Sequence, residues 1–186
     1  MENELVNEFA RLRETAYRDL RTHSNMKGCE HVFQYLALPS FSPGVAFDVF
    51  RKPHKELDTE FVLVKTTWRS DIDGEKFRTP VERLKHPRPL EPTMEVQLLA
   101  VPSTTLSILV NELLELKMKS AERIGLCLDG IAYELTINHS GSECSLRWNM
   151  HLADEWEGLK NWIRKADSTF NSTLPTKETN SRQEND

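Results

Sequence analysis

Asp129-Gly130, set between two runs of alternating apolar residues, constrains this chain more than any other stretch. An Asp-Gly pair in that setting is the strongest short-range hairpin signal, because a two-residue type I′ turn needs positive φ at both central positions. With the turn there, Leu128 falls opposite Ile131, Leu126 opposite Tyr133 and Ile124 opposite Leu135. All six side chains then share one face, which Ile137 extends. Gly125, Cys127, Ala132, Glu134 and Thr136 fall on the other, smaller and more polar face.

A second turn over residues 138–142 leads to a third strand, in which Cys144, Leu146, Trp148 and Met150 alternate with Ser145, Arg147 and Asn149. Asp154 is placed to cap a following helix. On that helix Trp156, Leu159, Ile163 and Ala166 form one stripe, with Trp162 at its edge. The stripe is expected to cover the sheet face that carries Leu126, Tyr133 and Trp148. Three of the chain's four tryptophans lie here. They read first as core, and Trp162 reads second as an exposed anchor for a partner, since Trp is enriched at interface hot spots.

The preceding chain repeats the same vocabulary. Leu5, Phe9, Leu12, Ala16 and Leu20 recur at three- and four-residue steps and predict a helix over residues 2–22. Residues 31–38, 45–51, 60–69 and 94–101 read as strands, punctuated by Pro39, Pro43 and Gly44 and by a turn over 71–74. In the first, Val32, Gln34, Leu36 and Leu38 alternate with Phe33, Tyr35 and Ala37, so both faces are expected to be partly covered. Pro102 and Ser103 open a more apolar helix with Leu106, Leu109, Val110, Leu113 and Leu116 on one side. Residues 75–93 hold four prolines and no clear period. From residue 171 the chain turns to Ser, Thr, Asn and charges, which cannot bury enough to offset ordering entropy.

The expectation is one α+β domain over residues 1–170 and a disordered polar tail over 171–186. Its sheet is mostly antiparallel and six- or seven-stranded, with helices at the N-terminus, middle and C-terminus. The 94–101 strand could instead run parallel to 123–128 through a crossover helix. A chain of 186 residues buries roughly 70% of its unfolded surface, enough to hold together without disulfides or metal. The N-terminal MENELVNEF lacks an apolar signal region, and no run is long enough to span a bilayer, so a soluble, cytoplasmic protein is expected.

No chemistry-bearing motif survives inspection. Asp71, Asp73, Glu75, Thr79 and Glu82 have the oxygen spacing of a calcium loop, but Lys76 stands where the glycine belongs and a strand precedes. Asp73-Gly74 reads better as a hairpin turn. The six histidines show no zinc spacing, no GxSxG elbow is present, and with seven glycines there is no phosphate-cradling loop. No cofactor or metal is expected.

The net charge of −5 weighs against general nucleic-acid binding. The one local basic patch is Lys76, Arg78, Arg83, Lys85 and Arg88. The favoured reading is a non-enzymatic protein-binding domain, such as an immunity- or antitoxin-like inhibitor or a subunit of a larger bacterial complex. Its partner would be another protein, met through Trp162, Glu134, Arg147, Arg83, Lys85 and Arg88. The alternatives are a hydrolase-like enzyme with dispersed acid and base residues, and a subunit that contacts nucleic acid through residues 76–88. Within the meander, the polar face around Glu134, Thr136, Arg147 and Asn149 is the expected functional surface.

Overall fold

In the computed structural model the described residues are 2–22, 26–40, 42–53, 60–78, 81–82, 85, 90–117, 130–149, 152 and 156–172. In chain order they form α1 (Glu2–Arg21), β1 (Glu30–Pro39), β2 (Val45–Lys52), β3 (Glu60–Trp68), α2 (Ser70–Glu75) and β4 (Met94–Leu99). Then follow α3 (Ser103–Leu114), β5 (Ile131–His139), β6 (Ser142–Asn149) and α4 (Glu157–Asn171). The six strands make one antiparallel sheet in the order β4-β3-β2-β1-β5-β6. The protein is therefore α+β, as the alternating apolar runs and short turns require.

Both faces of the sheet are covered. On one, Ala16 and Leu20 of α1 meet Leu36, Leu38, Ala46 and Trp68. The helix comes so close that a Cβ on Gly44 would lie 2.9 Å from Leu20 Cδ1, which explains the glycine at that turn. On the other face α3 and α4 bury Leu106, Leu109, Leu159, Trp162, Ala166 and Phe170 against Phe33, Tyr35, Phe47, Leu63 and Leu135. Each large apolar side chain removed from water there contributes roughly 1.5–3 kcal/mol. Ser103, at the start of α3, accepts a hydrogen bond from the Phe61 amide at 2.8 Å and ties α3 to β3.

The meander differs from expectation in its partners. Residues 123–128 lie outside the described set, as do Asp129 and Met150. Both sides of β5 are nonetheless filled: Tyr133 faces Ala37 and Trp148, and Leu135 faces Tyr35 and Leu146. The predicted pairing of Tyr133 with Leu126 and of Leu135 with Ile124 is thus replaced by a long-range pairing with β1. The two-residue turn with positive φ occurs one hairpin later, at Ser140 (51°) and Gly141 (79°) between β5 and β6. The in-out pattern itself stands: Tyr133, Ile137, Leu146 and Trp148 share the α3–α4 face. Residues 94–99 pair with β3 and run antiparallel to it.

Asp73-Gly74 is not a hairpin turn but lies inside α2, where Asp73 is fully buried. And β1 does not alternate throughout, because its register with β2 slips between His31 and Phe33. That bulge puts Val32 and Phe33 in the same core and brings His31 to the face of Gln34, toward α1.

Candidate functional site

The bulge creates a polar chain beneath α1. Asp48 and Gln34 are buried opposite one another on β2 and β1. Gln34 Nε2 donates to Asp48 Oδ1 at 2.9 Å and to the Leu20 carbonyl at 3.0 Å. His31 Nε2 lies 3.0 Å from the same carboxylate oxygen, and Asn138 Nδ2 lies 2.8 Å from His31 Nδ1. One tautomer accounts for both: Nε2–H donates to Asp48, and Nδ1 accepts from Asn138. Both ring nitrogens are then engaged, which leaves the imidazole no free nitrogen to exchange a proton with a substrate. This chain locks α1 to three strands.

Next to it the sequence-predicted polar face takes shape. Arg21, at the end of α1, donates from Nε to Glu134 Oε1 and Oε2 at 3.1 and 2.8 Å, and its Nη2 also reaches Oε1. Arg147 Nε approaches Glu134 Oε2 at 3.4 Å from β6, its side chain 69% exposed. Glu134 is buried between the two guanidiniums, and its hydrogen bonds hold Arg21 above its ordinary pKa against the effect of burial. Beside this group a cleft of about 300 Å³ opens between α1 and the end of β5, lined by Arg13, Tyr17, Arg21, Ser40, Ile131 and Asn149 among others. Tyr17 donates its hydroxyl proton to the Pro39 carbonyl at 2.7 Å. Burial raises the Tyr17 pKa, while Arg13 and Arg21 pull it down; Glu14 lines the cleft as well, so two cations and one carboxylate stand at its wall. Arg13 is exposed and makes no ion pair among the described residues.

The other sequence-predicted residues are dispersed. Trp162 is a correction: it is 3% exposed, its ring meets Phe33 edge-on at 5.4 Å, and its Nε1 donates to the Leu109 carbonyl at 2.8 Å. It cannot anchor a partner, because the apolar stripe of α4 centres on Leu159, Trp162, Ala166 and Phe170 instead of on Trp156. Arg83 and Arg88 lie outside the described residues. Lys85 is exposed and pairs with Glu82 at 2.5 Å. Lys76 and Arg78 pair with Asp73 and Glu75 at 2.6 and 3.0 Å, so the described part of the basic segment is already neutralised locally.

Two carboxyl groups carry roles that local sequence patterns do not signal. Asp73 accepts from the Trp68 indole, the Thr93 amide, the Thr93 hydroxyl and the Lys76 ammonium. Asp167 of α4 sits half-buried toward Tyr35 and Tyr133, whose rings stack at 6.1 Å. Burial pushes its carboxyl pKa up, with the Tyr35 hydroxyl opposing. A carboxyl raised on folding binds its proton more tightly in the folded state, so stability falls as pH climbs from the unfolded to the folded pKa. Asp167→Asn should therefore raise the melting temperature at pH 7, with the gain fading below the unfolded pKa of about 3.9. Equal melting temperatures at pH 7 would show that the carboxylate costs nothing there.

Among the described residues no group of three His, Cys, Asp or Glu is placed to hold a metal, and no helix is long and apolar enough to cross a membrane. The chain matches no protein-family model, no curated protein and no solved structure.

Proposed function

We propose that this chain is a non-enzymatic protein-binding domain whose partner seats a carboxylate-bearing side chain in the cleft between α1 and β5. The observation that carries this reading is exposed Arg13 at the cleft, beside an Arg21 that Glu134 holds in place. Arg21 is oriented by Glu134 and lines the wall, and Arg13 reaches the same cleft with its charge unpaired among the described residues. Glu134 already occupies the Nε–Nη2 fork of Arg21, so the fork of donors that suits a partner carboxylate is that of Arg13, with Arg21 held beside it. The cleft has room for one or two side chains, which fits a protein side chain better than a large cofactor. An inhibitor that covers a partner's active site needs the same features, a complementary surface with oriented charge and no reacting group.

The reading favours protein over nucleic acid because Lys76, Arg78 and Lys85 are each paired with a carboxylate. It favours binding over acid–base catalysis because both His31 nitrogens and the Asp73 oxygens are engaged inside the fold.

The test is affinity purification of the full chain from the cells that make it, in parallel with Arg13→Glu. Arg13 is exposed on α1, so reversing it should leave the melting temperature within about 1 °C of wild type, as is usual for surface positions. A stoichiometric protein that co-purifies with wild type, and is reduced at least tenfold with Arg13→Glu, is the expected result. A partner retained equally by both proteins, or no partner at all, would overturn the reading.

A further inference from the structure

We infer that β6 is a self-association edge: it pairs antiparallel with β6 of a second copy of the chain, joining the two sheets across a two-fold axis at Ser145. The edge lies apart from the cleft and is defined by the backbone groups that point outward. Ser40 N–H donates to the Gly130 carbonyl at 3.0 Å, in line with the β1–β5 register. Even-numbered residues of β5 therefore turn their backbone groups toward β1, and odd-numbered ones turn theirs toward β6. The partners of those odd residues, Ser142, Cys144, Leu146 and Trp148, point back at β5. The N–H and C=O groups of Glu143, Ser145 and Arg147 are left facing the outer edge, and among the described residues no strand pairs with them.

An antiparallel edge must match outward-pointing residues with outward-pointing residues. Axes at residues 143 to 147 all do so; those at Cys144 and Leu146 set Glu143 or Arg147 opposite uncharged residues, and only the axis at Ser145 sets opposite charges against each other. A two-fold axis at Glu143 would set that carboxylate against its own copy, and one at Arg147 would set guanidinium against guanidinium. Like charges directly opposite are unfavourable. An axis at Ser145 places Glu143 opposite Arg147 of the second copy, twice, on the same face of the sheet. Each of these pairs, and Ser145 with its own copy, exchanges two backbone hydrogen bonds. Arg147 is free to accept this second carboxylate, since its side chain is 69% exposed even with Glu134 at 3.4 Å. On the opposite face Cys144, exposed in the single chain, comes to lie against Leu146 of the second copy.

Apart from the charges of Glu143 and Arg147, the strand lacks the usual guards of an edge. It runs eight residues with an unbroken register and contains no proline or lysine. The opposite edge, β4, is six residues long and lies between Pro92 and Pro102.

The test is sedimentation of the full chain over a concentration series from about 1 μM to about 1 mM, the range that reads weak and moderate affinities. Wild type should pass from monomer to dimer. Glu143→Arg alone and Arg147→Glu alone should each remain monomeric where wild type is dimeric, because each sets like charges opposite. Mixed one to one, the two variants should dimerise again: one edge then carries two cations and the other two anions. That rescue also shows that both variants are folded. Wild type monomeric throughout would overturn the inference and leave the edge to an extended segment of another protein. So would variants that dimerise alone, or a mixture that stays monomeric while wild type associates. Association abolished by Arg13→Glu would place the contact on α1 and overturn it as well.

Discussion

Replacing Asp73 with alanine should destabilise the fold by about 3–5 kcal/mol, the cost of breaking a buried, charged hydrogen-bond network by removing one partner. Asp73 is fully buried and accepts four hydrogen bonds: Trp68 Nε1 at 2.7 Å, Thr93 N at 2.9 Å, Thr93 Oγ1 at 2.6 Å and Lys76 Nζ at 2.6 Å. Alanine leaves an indole N–H and an amide without their acceptor, and leaves the Lys76 ammonium only the Thr93 hydroxyl among the described residues. The damage also spreads, because the Trp68 ring meets Tyr17 edge-on at 5.9 Å and Phe9 at 6.0 Å, and so helps to dock α1. Urea unfolding should show a lower midpoint at an unchanged slope. A loss below about 1 kcal/mol would mean that water replaces the carboxylate without penalty.

The effect carries a pH signature. Burial alone would raise the Asp73 carboxyl pKa, but the Lys76 ammonium, both Thr93 donors and the Trp68 indole outweigh it and hold the group below its ordinary value. A carboxyl depressed on folding contributes stability above its unfolded pKa of about 3.9, and loses it as pH falls through the folded value. The gap between wild type and Asp73→Ala should therefore be widest near neutrality and should narrow in acid. A gap that stayed constant down to pH 2 would show that packing, not charge, is at stake.

The second large effect is Trp162→Ala, expected to cost about 3–5 kcal/mol. The indole fills the space between α3, α4 and β1, edge-on to Phe33, and its N–H closes on the Leu109 carbonyl. Trp162→Phe keeps most of the volume and removes that hydrogen bond, so it should cost far less, about 0.5–1.5 kcal/mol. Near-wild-type stability for the alanine variant would mean that α4 contributes little to the core.

These two residues show where sequence reasoning succeeds and where it stops. The helical spacing around Trp162 was legible, but its direction was not. A stripe written through Trp156 and Ile163 differs by a small rotation from one through Leu159, Trp162, Ala166 and Phe170, and only the position of α3 selects between them. Asp73 lay in a stretch that reads as a hairpin turn. Its acceptors are matched by Trp68 and Thr93, twenty residues apart in the case of Thr93, and no local pattern announces that contact. The candidate cleft was half visible: the polar face of the meander was readable from alternation, whereas Arg13, Tyr17 and Arg21 reach it from α1, over a hundred residues away in the case of Arg21.

By itself the sequence determined what is periodic. Steps of three and four residues set the helices, alternation set the strands and, apart from the β1 bulge, most of their faces, and the short turns made the sheet antiparallel. Those signals are local, since a side chain's direction along a strand depends only on its neighbours in the chain. The tertiary structure alone decided which strand lies beside which. Tyr133 and Leu135 carry the same apolar pattern whether they face residues 124–126 or β1, and it is the long-range pairing with β1 and β6 that fills both sides of β5. The same long-range contacts slip β1 by one residue at Val32, turn His31 beneath α1, and leave the outward groups of β6 without a partner strand among the described residues.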